Sequence, residues 1–407
     1  MKPAIVLADR GEYTPAMEPL RIGFDSRFVV SLTDLALELA QRAAGFRRSL
    51  PEPMIETIAG MVRSMNCYYS NLIEGHKTHP IDIERALNDD YSHDAGKRDL
   101  QLEAKAHMSV QKWIDDGGLL GYRAVTVEGI KEIHRRFCEL LPDDLLWVED
   151  PAGKQRVRVV PGEWRQQDVQ VGRHVAISPG AVPRFLARFE EVYTKLGKTD
   201  SILAMAIAHH RLVWIHPFLD GNGRVARLVS HAMMLEVLGT AGVWSVARGL
   251  ARNVTKYKGL LASCDRTRRN DLDGRGNLSE EATAEFIRFF LQVSIDQVEF
   301  MESVMQPERL RTRIRIWAEE ESQMGLLPAK SGALLEALLY RGELPRGDAS
   351  AVTGLGDRQA RRVVSALIER GVLKSESSRA HLRLVFPATL ASRWMPGLFP
   401  DKADSDD

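Results

Sequence analysis

The strongest constraint on the fold lies in residues 201–238, where an apolar helical segment runs into a turn that no helix can continue through. The segment SILAMAIAHHRLVWI ends at His216-Pro217, because proline has no amide hydrogen to donate. Gly221-Asn222-Gly223 then leads directly into a second helical segment, RVARLVSHAMMLEVL. The free amide groups and the positive dipole at a helix amino terminus favour an anion. The sequence therefore predicts two helices joined by a phosphate-binding turn.

The side chains around this turn predict phosphate-transfer chemistry. Arg224 and Arg227 lie three residues apart, hence on one helix face, and guanidinium groups suit phosphate oxygens. Asp220 would repel phosphate unless a divalent cation lay between them, and Mg²⁺ is the natural candidate. His216, with an ordinary pKa near ~6.5, is the obvious base, and Phe218 is expected to point inward. The alternative is a plain helix break with solvated arginines, and the coincidence of these groups disfavours it.

Helical spacing recurs over most of the first 305 residues, so the predicted fold is mainly α. The helices are expected at about 31–50, 53–74, 97–115, 125–141, 181–196, 201–214, 222–238, 250–263 and 280–303, the first behind a Ser or Thr cap. Residues 154–179 alternate β-branched and polar side chains around Pro161-Gly162, and they predict a short hairpin inserted into the helical body. From about residue 325, three helices precede a two-strand segment, which predicts a small winged helix-turn-helix domain.

Composition narrows the class of protein. The 407 residues contain 55 Lys plus Arg and 55 Asp plus Glu, so no global charge draws the chain to nucleic acid or to an anionic membrane. Three cysteines that are far apart and lack a C-x-x-C pair indicate neither a disulfide framework nor a zinc site. No apolar stretch approaches the ~18–20 residues of a membrane span, and the amino terminus has no signal-peptide core. We expect a cytoplasmic protein.

The stretch HPFLDGNGRVAR resembles the signature of the Fic family, His-Pro-Phe-x-Asp/Glu-Gly-Asn-Gly-Arg-x-x-Arg, at every specified position. The resemblance implies a Fic-type helical bundle that transfers AMP from ATP to a Ser, Thr or Tyr hydroxyl of a target protein, itself included. It assigns His216 as the base and Asp220 as the Mg²⁺ ligand. It assigns Gly221, Asn222, Gly223, Arg224 and Arg227 to the ATP phosphates. Removal of AMP, or transfer of another phosphate-containing group, stays open as an alternative.

A second resemblance concerns SNLIEG, residues 70–75, where Glu74 precedes a glycine that predicts a helix C-cap. A carboxylate at the negative end of a helix dipole needs a cationic partner. The stretch is similar to the inhibitory motif of Fic proteins, Ser/Thr-x-x-x-Glu-Gly/Asn. That resemblance implies an ion pair between Glu74 and Arg227 in the place of the ATP γ-phosphate, so that removing the carboxylate activates the enzyme. The alternative is a solvated glutamate at a helix end.

Two further segments resemble parts of Fic proteins. Val171, Gly172, Arg173 and His174 resemble the flap, which covers the nucleotide and aligns the target segment by strand addition. Residues 251–261 resemble the nucleobase segment Asn-Arg-x-x-Tyr-Tyr, with departures at Val254 and Lys258. The resemblance assigns Tyr257 and Lys258 to the nucleobase pocket, and the departures leave the choice of base open.

The predicted organisation has five parts along the chain. Residues 1–110 form an amino-terminal helical region with the inhibitory helix, 111–305 the catalytic core, 306–324 a connecting helix, 325–395 the winged-helix domain and 396–407 a tail. Arg358, Arg361 and Arg362 could face DNA, but protein docking is the favoured role of the winged helix. A DNA-binding regulator with a nucleotide-sensing Fic domain is the alternative from a different class, and a homodimer is possible.

Overall fold

The computed structural model describes residues 7–119, 124–149 and 156–400, and the described chain is mostly helical. Up to residue 305 the helices are α1 (Val29–Ser49), α2 (Glu52–Ile73), α3 (Pro80–Leu87), α4 (Ala95–Asp115), α5 (Val127–Glu139), α6 (Val182–Tyr193), α7 (Lys198–Ile215), α8 (Asn222–Leu238), α9 (Ala247–Arg252), α10 (Val254–Cys264) and α11 (Glu280–Met305). The acidic segment 401–407, which belongs to the predicted tail, lies outside the described residues.

The amino end of helix α1 differs from the prediction. The expected Ser or Thr cap is wrong, because α1 begins at Val29 and follows Phe28, which makes no side-chain cap. Ser31 lies inside the first turn, where its hydroxyl donates to the Phe28 carbonyl at 3.1 Å. The hydroxyl is thus hydrogen-bonded to a backbone carbonyl of the helix instead of capping an amide.

The segment predicted as one helix at 250–263 is two helices. The break lies at Asn253, whose backbone leaves the helical region and whose side-chain amide donates to the Gly249 carbonyl at 2.9 Å. Asparagine competes in this way with the backbone hydrogen bonds of a helix. Helix α3 was not predicted, because its eight residues are too few to show a helical period.

Two short antiparallel hairpins replace the single predicted one. β1 (Trp147–Glu149) pairs with β2 (Arg156–Arg158), and β3 (Gln170–Val171) pairs with β4 (His174–Val175). Pro161-Gly162 does form a turn, in which the Glu163 amide donates to the Val160 carbonyl at 3.1 Å. The prediction that it is the hairpin turn is wrong, because it lies between the two hairpins, where the Gly162 amide donates to His134 Nδ1 at 2.9 Å. The turn of the second hairpin is Gly172-Arg173, with Gly172 at φ 60°. Residues 154 and 155 of the predicted segment lie outside the described chain.

Helices α7 and α8 lie at the centre of the molecule and hold the turn between them. Residues 202–212 of α7 are all buried, which is why the sequence of this helix is apolar nearly throughout. α1, α6 and α11 pack around α7, while α4 and α5 pack against α8. The turn at 216–221 is therefore fixed on both sides by buried helices.

Residues 307–400 form a second helical part with a small sheet. Its helices are α12 (Pro307–Gln323), α13 (Ser331–Arg341), α14 (Ala349–Thr353), α15 (Asp357–Glu369) and α16 (Ala391–Trp394). Its strands are β5 (Glu343–Leu344), β6 (Leu373–Lys374) and β7 (Leu382–Leu384), in the antiparallel order β5-β7-β6. The three expected helices and two expected strands are present, and β5 is additional. The winged-helix assignment, its role in docking and the domain limits stay predictions.

The end of the chain packs onto the first part. Tyr69 of α2 donates its hydroxyl to the Leu398 carbonyl at 3.1 Å, and Arg248 of α9 donates to the Gly397 carbonyl at 2.8 Å. The fully buried Trp394 lies edge-on to Trp317, with 5.1 Å between ring centroids. The main hydrophobic core accordingly runs from the amino-terminal segment to the end of the second part.

The three cysteines, Cys67, Cys138 and Cys264, are buried free thiols. Within the described ranges, none of the helices has both the length and the apolar character needed to cross a bilayer.

Removal of the Trp394 ring tests the importance of this junction. We expect Trp394→Ala to lower the free energy of unfolding by about 3–5 kcal/mol, because it leaves a large cavity between α12 and α16. The measurement is urea unfolding followed by circular dichroism. The matched control is Trp147→Ala, since Trp147 is 37% exposed, and an equal loss in the two variants would contradict the packing described.

Candidate active site

A cavity of about 850 Å³ opens where the amino end of α8 meets α7, α10, the end of α2 and the second hairpin. Its volume is that of a site for a nucleotide-sized ligand. Of the residues that the sequence predicts for the site, the lining contains Glu74, Val171, Gly172, Arg173, His174, His216, Gly223, Arg227, Tyr257 and Lys258. Asp220, Gly221, Asn222 and Arg224 lie outside that lining, in or directly after the same turn.

His216 follows the last residue of α7 in the left-handed conformation, with φ 50° and ψ 61°. This backbone turns the chain sharply and presents the imidazole ring to the cavity. Nδ1 lies 3.2 Å from the Val213 carbonyl and donates to it, so Nε2 carries the free lone pair. Burial lowers the pKa of His216 to about 4, helped by the positive charge of Arg165. The ring is therefore neutral at physiological pH.

The turn after His216 is held by two inward-facing side chains. Asn222 exchanges two hydrogen bonds with the Phe218 backbone, at 2.9 Å to the amide and 2.8 Å to the carbonyl. The fully buried Phe218 ring stacks on His134, with 3.7 Å between centroids, so the expected inward position of Phe218 is confirmed. The Asn222 side chain thus closes the turn, and only its backbone amide remains to bind an anion.

The predicted contact between Glu74 and Arg227 is present. α2 ends at Ile73, Glu74 is its C-cap, and Gly75 follows with φ 89°. The Glu74 carboxylate accepts a hydrogen bond from Arg227 Nη2, while Arg227 Nε donates to Ser70 Oγ at 2.9 Å. Burial acts to raise the pKa of Glu74, but Arg227 outweighs it and holds that pKa below its usual value.

Glu74 also lies against the amino end of α8. A Cβ atom at Gly223 would clash with Glu74 Oε1, so only glycine allows this approach. No side chain caps α8, and among the described residues the amides of residues 222–224 have no acceptor. A carboxylate beside these amides and beside Arg227 stands where a phosphate group would be favoured.

Arg224 faces a different partner from Arg227. Its Nη2 donates to Glu103 of α4 at 3.1 Å, and the side chain is 9% exposed. His76 Nδ1 also lies 2.9 Å from Glu103, and this contact raises the pKa of His76. The charge of Arg224 is thus neutralised on the α4 side of the turn. Its predicted grip on phosphate stays a prediction.

Tyr257 lines the cavity with its ring, while its hydroxyl points into the core. The hydroxyl donates to His209 Nε2 at 2.6 Å, and His209 Nδ1 donates to Ser230 Oγ at 2.9 Å. Burial lowers the pKa of His209 to about 3, so the neutral ring can accept from tyrosine. Stacking of the Tyr257 ring on a nucleobase is compatible with this arrangement, whereas its hydroxyl is already engaged with His209.

The second hairpin covers the cavity opposite α8. His174 of β4 lies with Nε2 2.7 Å from the Trp214 carbonyl at the end of α7. Its Nδ1 is 3.8 Å from Asp265, a residue at the end of α10 that also accepts from His210 Nε2 at 2.9 Å. These contacts join the hairpin to the two helices below it.

Sequence reasoning missed Glu103, Arg165 and Asp265, and it gave no contact to Ser70, although Ser70 is the first residue of the quoted motif SNLIEG. Ser70 lies four residues before Glu74, and this spacing on one helix face could have indicated it. Asp265 lies eight residues after Tyr257, close to the same face of α10. Glu103 and Arg165 carry no local signal, since their partners are distant in the chain.

Comparisons with known proteins agree with the fold and the turn. Residues 124–234 match the model of the Fic/DOC family. A protein adenylyltransferase Fic of Drosophila grimshawi is 29% identical over 217 residues, which are 52% of this chain and 40% of that protein. The corresponding protein of Drosophila willistoni is 34% identical over 113 residues, 27% of this chain and 20% of that protein. The chain thus spans 40% or less of the length of these relatives.

A crystal structure of a Fic family protein from Desulfovibrio desulfuricans G20 has the same fold. It superposes with a TM-score of 0.51 at 17% identity, over 87% of this chain and 95% of that chain. The family match, the named relatives and this fold agree with one another. The chain contains a Fic domain, to which the family model matches over residues 124–234.

The neutral state of His216 can be tested by titration. We expect its ring, followed by NMR in the folded chain, to titrate near pH 4, and near ~6.5 in urea, because burial disfavours the proton only in the folded state. As the pH falls, the unfolded chain therefore takes up this proton first. The contribution of His216 to the free energy of unfolding accordingly decreases from about pH 6.5 down to about pH 4. His216→Ala identifies the signal. A midpoint at or above the urea value would contradict the buried, neutral ring.

Proposed function

We propose that this protein transfers AMP from ATP to a hydroxyl group of a protein and that Glu74 restrains the reaction. The observation that carries the proposal is the position of the Glu74 carboxylate, which binds Arg227 at the amino end of α8 inside the cavity that contains His216. The printed name of the Drosophila relatives, protein adenylyltransferase, supports the same reaction.

AMP transfer requires a base for the target hydroxyl and neutralisation of the charge on the ATP phosphates. The target oxygen attacks the α-phosphorus of ATP, its proton passes to His216 Nε2, and the bond from the α-phosphorus to the bridging oxygen breaks as pyrophosphate leaves. A base of this kind contributes about 10²–10⁴-fold. Arg227 and the amides of residues 222–224 neutralise the phosphate oxygens.

A divalent cation fits the residues present. Asp220 is exposed and, among the described residues, its carboxylate has neither a hydrogen-bond nor an ion-pair partner, so it is free to bind a metal. No group of three or more His, Cys, Asp or Glu in the described chain could hold a metal ion. Mg²⁺ commonly binds through one or two carboxylates with phosphates and water. Asp220 would hold it, and the ion would neutralise the phosphates.

Inhibition follows from competition for one anion site. The Glu74 carboxylate and a terminal phosphate of ATP would both need Arg227 and the amides beside Gly223. With Glu74 in place, ATP has to bind in another position, in which its α-phosphorus does not face His216. Loss of the carboxylate leaves Arg227 free for the phosphate.

The second hairpin is the proposed site for the target segment. Val171 and Val175 are 49% and 61% exposed, which is unusual for valine, and no strand of the described chain pairs with the outer edges of these two strands. An extended target segment could add to such an edge and place its hydroxyl beside His216.

Labelled ATP tests the proposed reaction. We expect Glu74→Gly to incorporate label from the α-phosphorus into protein, and not from the γ-phosphorus, at a rate about tenfold or more above the unsubstituted chain. Tenfold corresponds to ~1.4 kcal/mol of competition by the ion pair. His216→Ala in the same background, or chelation of Mg²⁺, should abolish labelling.

Glu38→Gln is the matched control, because Glu38 pairs with Arg42 on the outer surface of α1 and should leave the rate unchanged. The proposal fails if Glu74→Gly incorporates no α-label. Label from the γ-phosphorus alone would indicate a kinase.

A further inference from the structure

Arg165 is one of the largest fully buried side chains, and it lies directly beneath the His216 turn. It belongs to the segment between β2 and β3. It makes no ion pair with any described residue, and its guanidinium is surrounded by main-chain carbonyl oxygens. A buried charge is retained only where its hydrogen bonds are satisfied, so this arrangement calls for an explanation.

The first set of contacts holds the catalytic turn. Nε donates to the His216 carbonyl at 2.6 Å, and Nη2 lies 3.4 Å from the Ile215 carbonyl. The Arg165 backbone amide donates to the Pro217 carbonyl at 2.9 Å. Three consecutive carbonyl groups are thus bound by one residue, at the point where His216 adopts the left-handed backbone. A non-glycine residue keeps such a conformation only where its surroundings determine it.

The second set of contacts reaches the hairpin over the cavity. Nη1 donates to the Gln167 carbonyl at 2.8 Å, and Nη2 donates to the Ile177 carbonyl. Residues 167 and 177 flank β3 and β4 on both sides. The planar guanidinium therefore connects both ends of the hairpin to the turn, which lysine could not do with a single nitrogen.

The positive charge of Arg165 also affects the pKa of His216. Burial lowers the pKa of Arg165 to about 10, which still leaves it protonated at physiological pH. The groups that act on the pKa of His216 include Arg165 and His174, which lower it, and Glu74, which raises it. Arg165 thus favours the neutral form of the base.

From these contacts we infer that Arg165 is a positioning residue for the transfer reaction, which fixes His216 with Nε2 toward the cavity and holds the hairpin in register above it. The expected effect on the rate rests on the proposed AMP transfer. The expected effect on the position of His216 and of the hairpin does not depend on that reaction.

The test uses the full chain in the Glu74→Gly background and compares Arg165→Met with Arg165→Lys. We expect Arg165→Met to lower the rate of α-label incorporation about 10²-fold, the loss typical of a misplaced catalytic group, with ATP affinity by calorimetry almost unchanged. Arg165→Lys should recover part of the rate. In ¹⁵N NMR spectra, the His216 ring of Arg165→Met should lose its fixed Nδ1–H form.

Arg248→Met is the matched control, since Arg248 is also a buried guanidinium on a carbonyl, that of Gly397, and it should keep the background rate and the His216 spectrum. The inference is overturned if Arg165→Met keeps the rate and the His216 spectrum, or if Arg248→Met changes them equally. If the Glu74→Gly protein itself transfers no label, the proposed AMP transfer is wrong. In that case, an unchanged His216 spectrum in Arg165→Met would still overturn the positioning role of Arg165. Should Arg165→Met fail to fold, the same criteria apply to Arg165→Lys.

Discussion

The ion pair between Glu74 and Arg227 is the interaction on which the account of this protein depends. It joins the end of α2 to the amino end of α8, and the carboxylate occupies a place that the helix dipole, the free amides and the arginine favour for an anion. Arg227 is 3% exposed whereas Glu74 is 35% exposed, so the glutamate is the partner that can leave. In the proposed mechanism, a movement at the end of α2 would free Arg227 for a phosphate.

The rest of the fold determines how rigidly each side of this pair is held. α8 is fixed by the buried α7, by the Phe218 stack and by the carbonyl contacts of Arg165. The end of α2 is held by the contact of Ser70 with Arg227 and, one residue earlier, by Tyr69 against the Leu398 carbonyl. The Arg227 side of the pair is thus built into the core, while the Glu74 side also depends on the last part of the chain.

Much of the fold and of the site could be predicted from the sequence, and the errors have physical causes. The apolar helix before His216 and the glycine turn after it define α7 and α8, because proline and glycine act on the local backbone. The hairpin was predicted to turn at Pro161-Gly162. In the structure this turn lies outside both hairpins, and the Gly162 amide binds the distant residue His134. Glu103 and Arg165 could not be found, since their partners lie dozens of residues away and leave no periodic signal.

A crystal structure of the Glu74→Gly protein with Mg²⁺ and a non-hydrolysable ATP analogue, compared with the same complex of the unsubstituted chain, tests the central claim most directly. We expect Arg227 to contact the terminal phosphate in the Glu74→Gly complex, and the α-phosphorus to face His216 Nε2 in that complex alone. Identical phosphate positions in the two complexes, with Arg227 turned away from the nucleotide in both, would contradict it.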